Sequence, residues 1–105
     1  MQREMVALFR EEVPRWSAEL TAALAHGDAA LLQETAHAAK GAAAQFGGVA
    51  VAATARRLEK IGREHDLERA PIVLQELEVE FSRFLAALAV EEVGSGTEAV
   101  ATEVA

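Results

Sequence analysis

Apolar residues recur at steps of three and four from Met5 to Leu88, and no stretch alternates apolar with polar residues. That period fits one face of a helix, not one face of a strand. The chain is therefore expected to be all-α. A first segment, about residues 2 to 26, places Met5, Phe9, Val13, Trp16, Leu20 and Leu24 on one face. Pro14 interrupts it, and a proline in a helix interior removes a hydrogen bond and clashes one turn back. Two outcomes fit: a short helix to about residue 12 with a second starting at Val13 or Pro14, or one kinked helix. Gly27-Asp28 ends the segment, and Asp28 suits the N-cap of a helix over about 29 to 45. Gly47-Gly48 breaks that helix. A third runs over about 49 to 64 with Val51, Ala55, Leu58 and Ile61 inward. Asp66 can cap a last helix whose first turn holds Pro71 and which starts at 67 or 70. Leu74, Leu77, Phe81, Phe84, Leu85 and Leu88 form its apolar face.

Four long amphipathic helices joined by short loops imply an up-down-up-down four-helix bundle, with a short or kinked extra helix at the N-terminus. The bundle is expected over residues 1–89. After Ala89 the pattern fails, and residues 90–105 read as a flexible acidic tail. The Ala-rich helices should approach closely, with aromatic residues of the first and last helices filling most of the core.

Length and composition narrow the function. A chain of 105 residues supports one domain with one core. It has no apolar run long enough to cross a membrane, and its charged N-terminus does not resemble a secretory signal, so a cytoplasmic location is expected. With no cysteine, disulfides and thiol chemistry are excluded. The net charge of -7 is uneven: residues 40 to 63 hold Lys40, Arg56, Arg57, Lys60 and Arg63 against Glu59 alone. A nucleic-acid partner would call for a broadly basic domain. A local basic rim in an acidic protein suits an acidic surface on a protein partner instead. A monomer is expected, with no nucleic-acid and no membrane partner.

That basic stretch begins beside a helical run of small residues, TAHAAKGAAAQFGG, over residues 35 to 48. Leu32, Ala36, Ala39, Ala43 and Phe46 form its inward stripe. His37 then points about 140° away from the middle of that stripe at 3.6 residues per turn. It should be exposed, with Gln33, Gly41 and Ala44 as surface neighbours. Gly41 costs about 0.5–1 kcal/mol relative to alanine inside a helix, so close approach by something is expected there. His26 and His65 sit at helix ends and read as ordinary surface residues. Without further context His37 has the same reading open to it, and Glu59 reads as a surface carboxylate paired with Arg63 at i+4.

Several chemistries are missing. The histidines fall on different elements with no HxxxH pair, so no metal site is expected. Ser17, Ser82 and Ser95 lack a nucleophile-elbow context, and Gly47-Gly48 lacks a Walker pattern. The chain is too short to house a kinase. What remains is covalent chemistry on His37, since imidazole is a good nucleophile for phosphorus.

The run His37-Ala-Ala-Lys40-Gly41, then Phe46-Gly47-Gly48, then Leu58-Glu59, resembles the signature of histidine-containing phosphotransfer (HPt) domains. The likeness extends over roughly residues 5 to 89. Ala39 stands where the family usually has leucine, and Ala42 and Ala43 where serine is common. The resemblance implies a phosphoryl shuttle between receiver domains of response regulators or hybrid histidine kinases. His37 would carry the phosphoryl group on Nε2, and Lys40 would offset its charge. Gly41 would leave room for the partner, and Glu59 would accept a hydrogen bond from Nδ1–H. Gln33, Ala44, Arg56 and Lys60 would complete the partner-facing surface. No cofactor of its own is implied, and Mg²⁺ would come with the receiver. Two alternatives are the phosphotransfer domain of a chemotaxis-type kinase, phosphorylated directly by a kinase domain, and a helical adaptor that is never phosphorylated.

Overall fold

A computed structural model describes residues 3–93. Four α-helices follow one another: α1 (Arg3–His26), α2 (Ala29–Gln45), α3 (Val49–Arg63) and α4 (Ala70–Val93), with a 3₁₀ turn at Leu67–Arg69 before α4. The principal packing runs α1 on α2, α2 on α3, α3 on α4 and α4 back on α1, which closes a four-helix ring. No strand occurs among the described residues.

No separate N-terminal helix forms. Pro14 lies inside one helix from Arg3 to His26. Magnitudes account for this. An interior proline costs about 3 kcal/mol. Burying one large apolar side chain gives about 1.5–3 kcal/mol. Val6 and Phe9 before Pro14, and Trp16 and Leu20 after it, are all buried in the same core, while Pro14 itself is on the outer face. The core holds both halves against the same partners. The side chain of Met5 lies outside the described residues.

The helix ends follow local chemistry. The Asp28 carboxylate accepts from the Leu31 amide at 3.0 Å, as an N-cap should. At the C-termini, amides of Asp28, Gly48 and Asp66 donate back to Ala23, Ala43 and Ile61 at 2.8, 2.7 and 3.0 Å. The residue before each donor is left-handed: Gly27, Gly47 (φ 84°) and His65 (φ 57°). This is the Schellman arrangement, and it turns each helix sharply into the next. Two expectations need correction. Asp66 caps the 3₁₀ turn and makes no side-chain capping bond; its carboxylate faces Arg69 at 3.6 Å, and α4 starts at Ala70 with Pro71 in its first turn. The last helix also continues past Ala89 to Val93, because nothing that breaks a helix comes before Gly94. The tail expected over 90–105 otherwise lies outside the described residues.

The inward stripes fall where their period put them. Leu32, Ala36, Ala39 and Ala43 of α2 are buried, as are Val51, Ala55, Leu58 and Ile61 of α3. Phe9 meets Trp16, Phe46 and Phe84 edge-to-face at centroid distances of 6.0, 5.5 and 5.1 Å, and Trp16 stacks on Phe81. Aromatic bulk thus lies between α1 and α4, while α2 and α3 are thin and pack closely. Thr35, buried on α2, donates to Glu19 Oε1 of α1 at 3.1 Å and fixes the rotation of α2 about its axis. That rotation decides what α2 shows to solvent.

Candidate functional site

With Ala36 and Ala39 inward, His37 is carried to the outer surface of α2, its side chain 66% exposed. The surface around it is bare: Gly41 and Ala44 are exposed, Gln33 is half-buried, and a Cβ at Gly41 would meet nothing within 4 Å. Across the narrow seam to α3 stands Glu59, its side chain 10% exposed. One carboxylate oxygen, Oε2, lies 2.8 Å from His37 Nδ1, and the other, Oε1, lies 2.7 Å from Lys40 Nζ. The pairing with Arg63 therefore gives way to a bridge between α3 and α2.

Both neighbours act on Glu59. The hydrogen bond from Lys40 holds its carboxyl below the usual carboxylate range, burial opposes this, and the bond from His37 adds to the lowering. Glu59 is ionised at neutral pH and can only accept, so His37 Nδ1 is the donor and carries the hydrogen. The neutral ring then has its lone pair on Nε2, the nitrogen on the exposed edge. Because the folded-state value is lowered, this contribution to stability is complete above the ordinary value of 4.5. It is lost as pH falls further, through the lowered value.

A groove of about 440 Å³ runs beside His37 between α2 and α3, lined by Lys40, Gly41, Ala44, Val49, Ala52, Ala53 and Arg56. Val49 is 75% exposed at its end. Arg56, Lys60 and Arg63 are exposed along α3, with Lys60 4.0 Å from Glu64. Arg57 turns away and meets Glu76 of α4 at 2.5 Å, so it does not belong to this rim. A second recess of about 360 Å³ is lined by Gln33, Glu34, His37 and Glu59.

The sequence profile of the Hpt domain matches residues 4–89. The chain belongs to the Hpt domain family. No curated protein and no solved structure matches it. Hpt domains are phosphocarriers, not kinases, and take part in histidine phosphotransfer with receiver domains in two-component phosphorelays. In this Hpt domain the described residues include no group of three His, Asp or Glu side chains able to hold a metal ion. No described helix is long and apolar enough to cross a membrane.

The bundle brings His37, Lys40 and Glu59 into contact and lines the adjoining groove with Gly41, Ala44 and Arg56, whereas Lys60 stays on the outer rim and Gln33 beneath the histidine. Sequence reasoning passed over two residues. Glu34 shares the recess with His37. Gly62 lies against the backbone of α2, where a Cβ would come 2.8 Å from the Gln33 nitrogen. The signal at Gly62 was the one used at Gly41, a helix-interior glycine in an alanine-rich chain.

Proposed function

We propose that this Hpt domain shuttles a phosphoryl group between receiver-domain aspartates through His37. The observation that carries the reading is the 2.8 Å bond between Nδ1 of an exposed histidine and a buried, ionised Glu59. It supports Nε2 as the nucleophile. The Nε2 lone pair attacks the phosphorus of an aspartyl phosphate, a P–N bond forms as the P–O bond breaks, and the aspartate leaves as a carboxylate. The phosphorylated ring keeps its hydrogen on Nδ1 and becomes cationic, and Glu59 stabilises that charge. The reverse sequence delivers the group to a second receiver. Mg²⁺ belongs to the receiver's aspartate cluster in this scheme. The groove beside Gly41 and the basic rim of Arg56, Lys60 and Arg63 suit the docking of an acidic protein surface.

The test is incubation with phosphorylated receivers. The expected product is acid-labile phosphate on His37, and His37→Gln should lose all labelling while keeping its helicity. Labelling of the His37→Gln protein, or phosphate on His26 or His65, refutes the assignment. Labelling by a kinase domain with ATP, and none from receivers, would assign the donor to the chemotaxis type.

A further inference from the structure

We infer that Gly62 is a positioning residue for the phosphoacceptor: lacking a side chain, it lets α3 lie close enough to α2 for Glu59 to reach His37. The inference rests on the reading of His37 as the acceptor.

The seam pairs residues one turn apart on both helices. Gly62 faces Gln33 and Ala29, and one turn along, Glu59 faces His37. A Cβ at Gly62 would lie 2.8 Å from the Gln33 nitrogen, 3.0 Å from the Ala29 carbonyl oxygen and 3.0 Å from the Gln33 Cα. All three are backbone atoms, so no flexible side chain can swing aside. Ordinary non-bonded separation is about 3.5–4.0 Å, so any side chain here forces the helices apart by roughly 0.5–1 Å. The bonds from Glu59 to His37 and Lys40, at 2.8 and 2.7 Å, span that same seam. A hydrogen bond stretched by that much is largely lost. The helix itself would gain from alanine at this position, so the glycine serves the neighbouring helix. Gly41 is the contrast, a glycine in α2 with open space around it.

A widened seam releases the imidazole from a single tautomer. Nε2 then carries the hydrogen for part of the time and is no nucleophile while it does. At metal sites, loss of a group that orients a ligating imidazole costs about 10–100-fold, and a fall of that order in transfer rate is expected for Gly62→Ala.

The test reads the His37 ring by long-range ¹H–¹⁵N correlation spectra of the full chain, at a pH where the ring is neutral. Wild type and Gly41→Ala should show the Nδ1–H tautomer. Gly62→Ala should show a mixture. Phe81→Leu, a core change on α4, should lower the melting temperature without moving the tautomer. Transfer from a phosphorylated receiver should fall on Gly62→Ala in wild type and not fall further in a Glu59→Ala background. An unchanged Nδ1–H signature in Gly62→Ala, or an equal rate loss in both backgrounds, overturns the inference. If Gly62→Ala does not fold, Glu59→Asp withdraws the carboxylate by about one bond length across the same seam. The tautomer should then be lost, and its retention would show that the spacing is not limiting. The spectra need no phosphoryl transfer, so failure of wild type to label at His37 would refute the acceptor reading separately.

Discussion

A Cβ built at Gly41 meets nothing within 4 Å, which decides between two reasons for a glycine there. It does not admit a neighbouring helix, as Gly62 does. Its effect is on the space above the helix, next to the exposed His37 ring. Gly41→Ala should therefore raise stability by up to about 1 kcal/mol. Gly41→Arg should fold as well as wild type, yet transfer should fall by orders of magnitude, because reacting atoms must come within roughly 3–3.5 Å. Thermal melts and transfer rates on the two variants check this, and a large drop in the melting temperature of Gly41→Arg would contradict it. Glu59 marks where residue-scale reading stopped. Periodicity says which face of α3 points inward, but it does not say which residue of α2 lies across the rim. Sequence alone leaves both the Arg63 and the His37 pairings open, and the α2–α3 seam selects His37.

Among the elements, α3 carries the electrostatics. Arg56, Lys60 and Arg63 recur at four and three residues and share one exposed stripe, whereas Arg57 is engaged by Glu76. Rim charges of this kind act on association rate and its salt dependence. Reversing Arg56 or Lys60 to glutamate should slow transfer from a receiver at low ionic strength and matter little at high ionic strength. Equal rates at both would leave the stripe as a solvated face. Much at this scale was legible in the sequence because it is local. The period of apolar residues sets which face is buried, and Asp28 and Gly47 end or begin helices within a few bonds of themselves. The sequence is less decisive where distant packing competes with local preference. Of the two outcomes open at Pro14, core burial selects one helix, and a 3₁₀ turn takes the place of the cap expected from Asp66.

For the whole molecule, the bundle is lopsided, with its bulk on the side of α1 and α4 and the exposed His37 on the thin side. Phe9, 1% exposed and edge-to-face with three other rings, is the centre of that bulk. Phe9→Ala should cost about 3–5 kcal/mol, a large part of the roughly 5–15 kcal/mol that holds a domain together. Denaturant unfolding followed by the fluorescence of Trp16, the one tryptophan, measures it. A loss below about 1 kcal/mol would mean that the rings do not form the core.

The thin side has one more consequence. Lys40, the cation three residues along from His37, is already bound to Glu59. If Nε2 carries a phosphoryl group, Glu59 acts on the charge of the ring, while the group itself would stand in water over Gly41 and Ala44. It would keep a high group-transfer potential. On the proposed function, the direction of flow would be set by which receiver is charged and which is empty, and the carrier would work as a reversible junction, not a store.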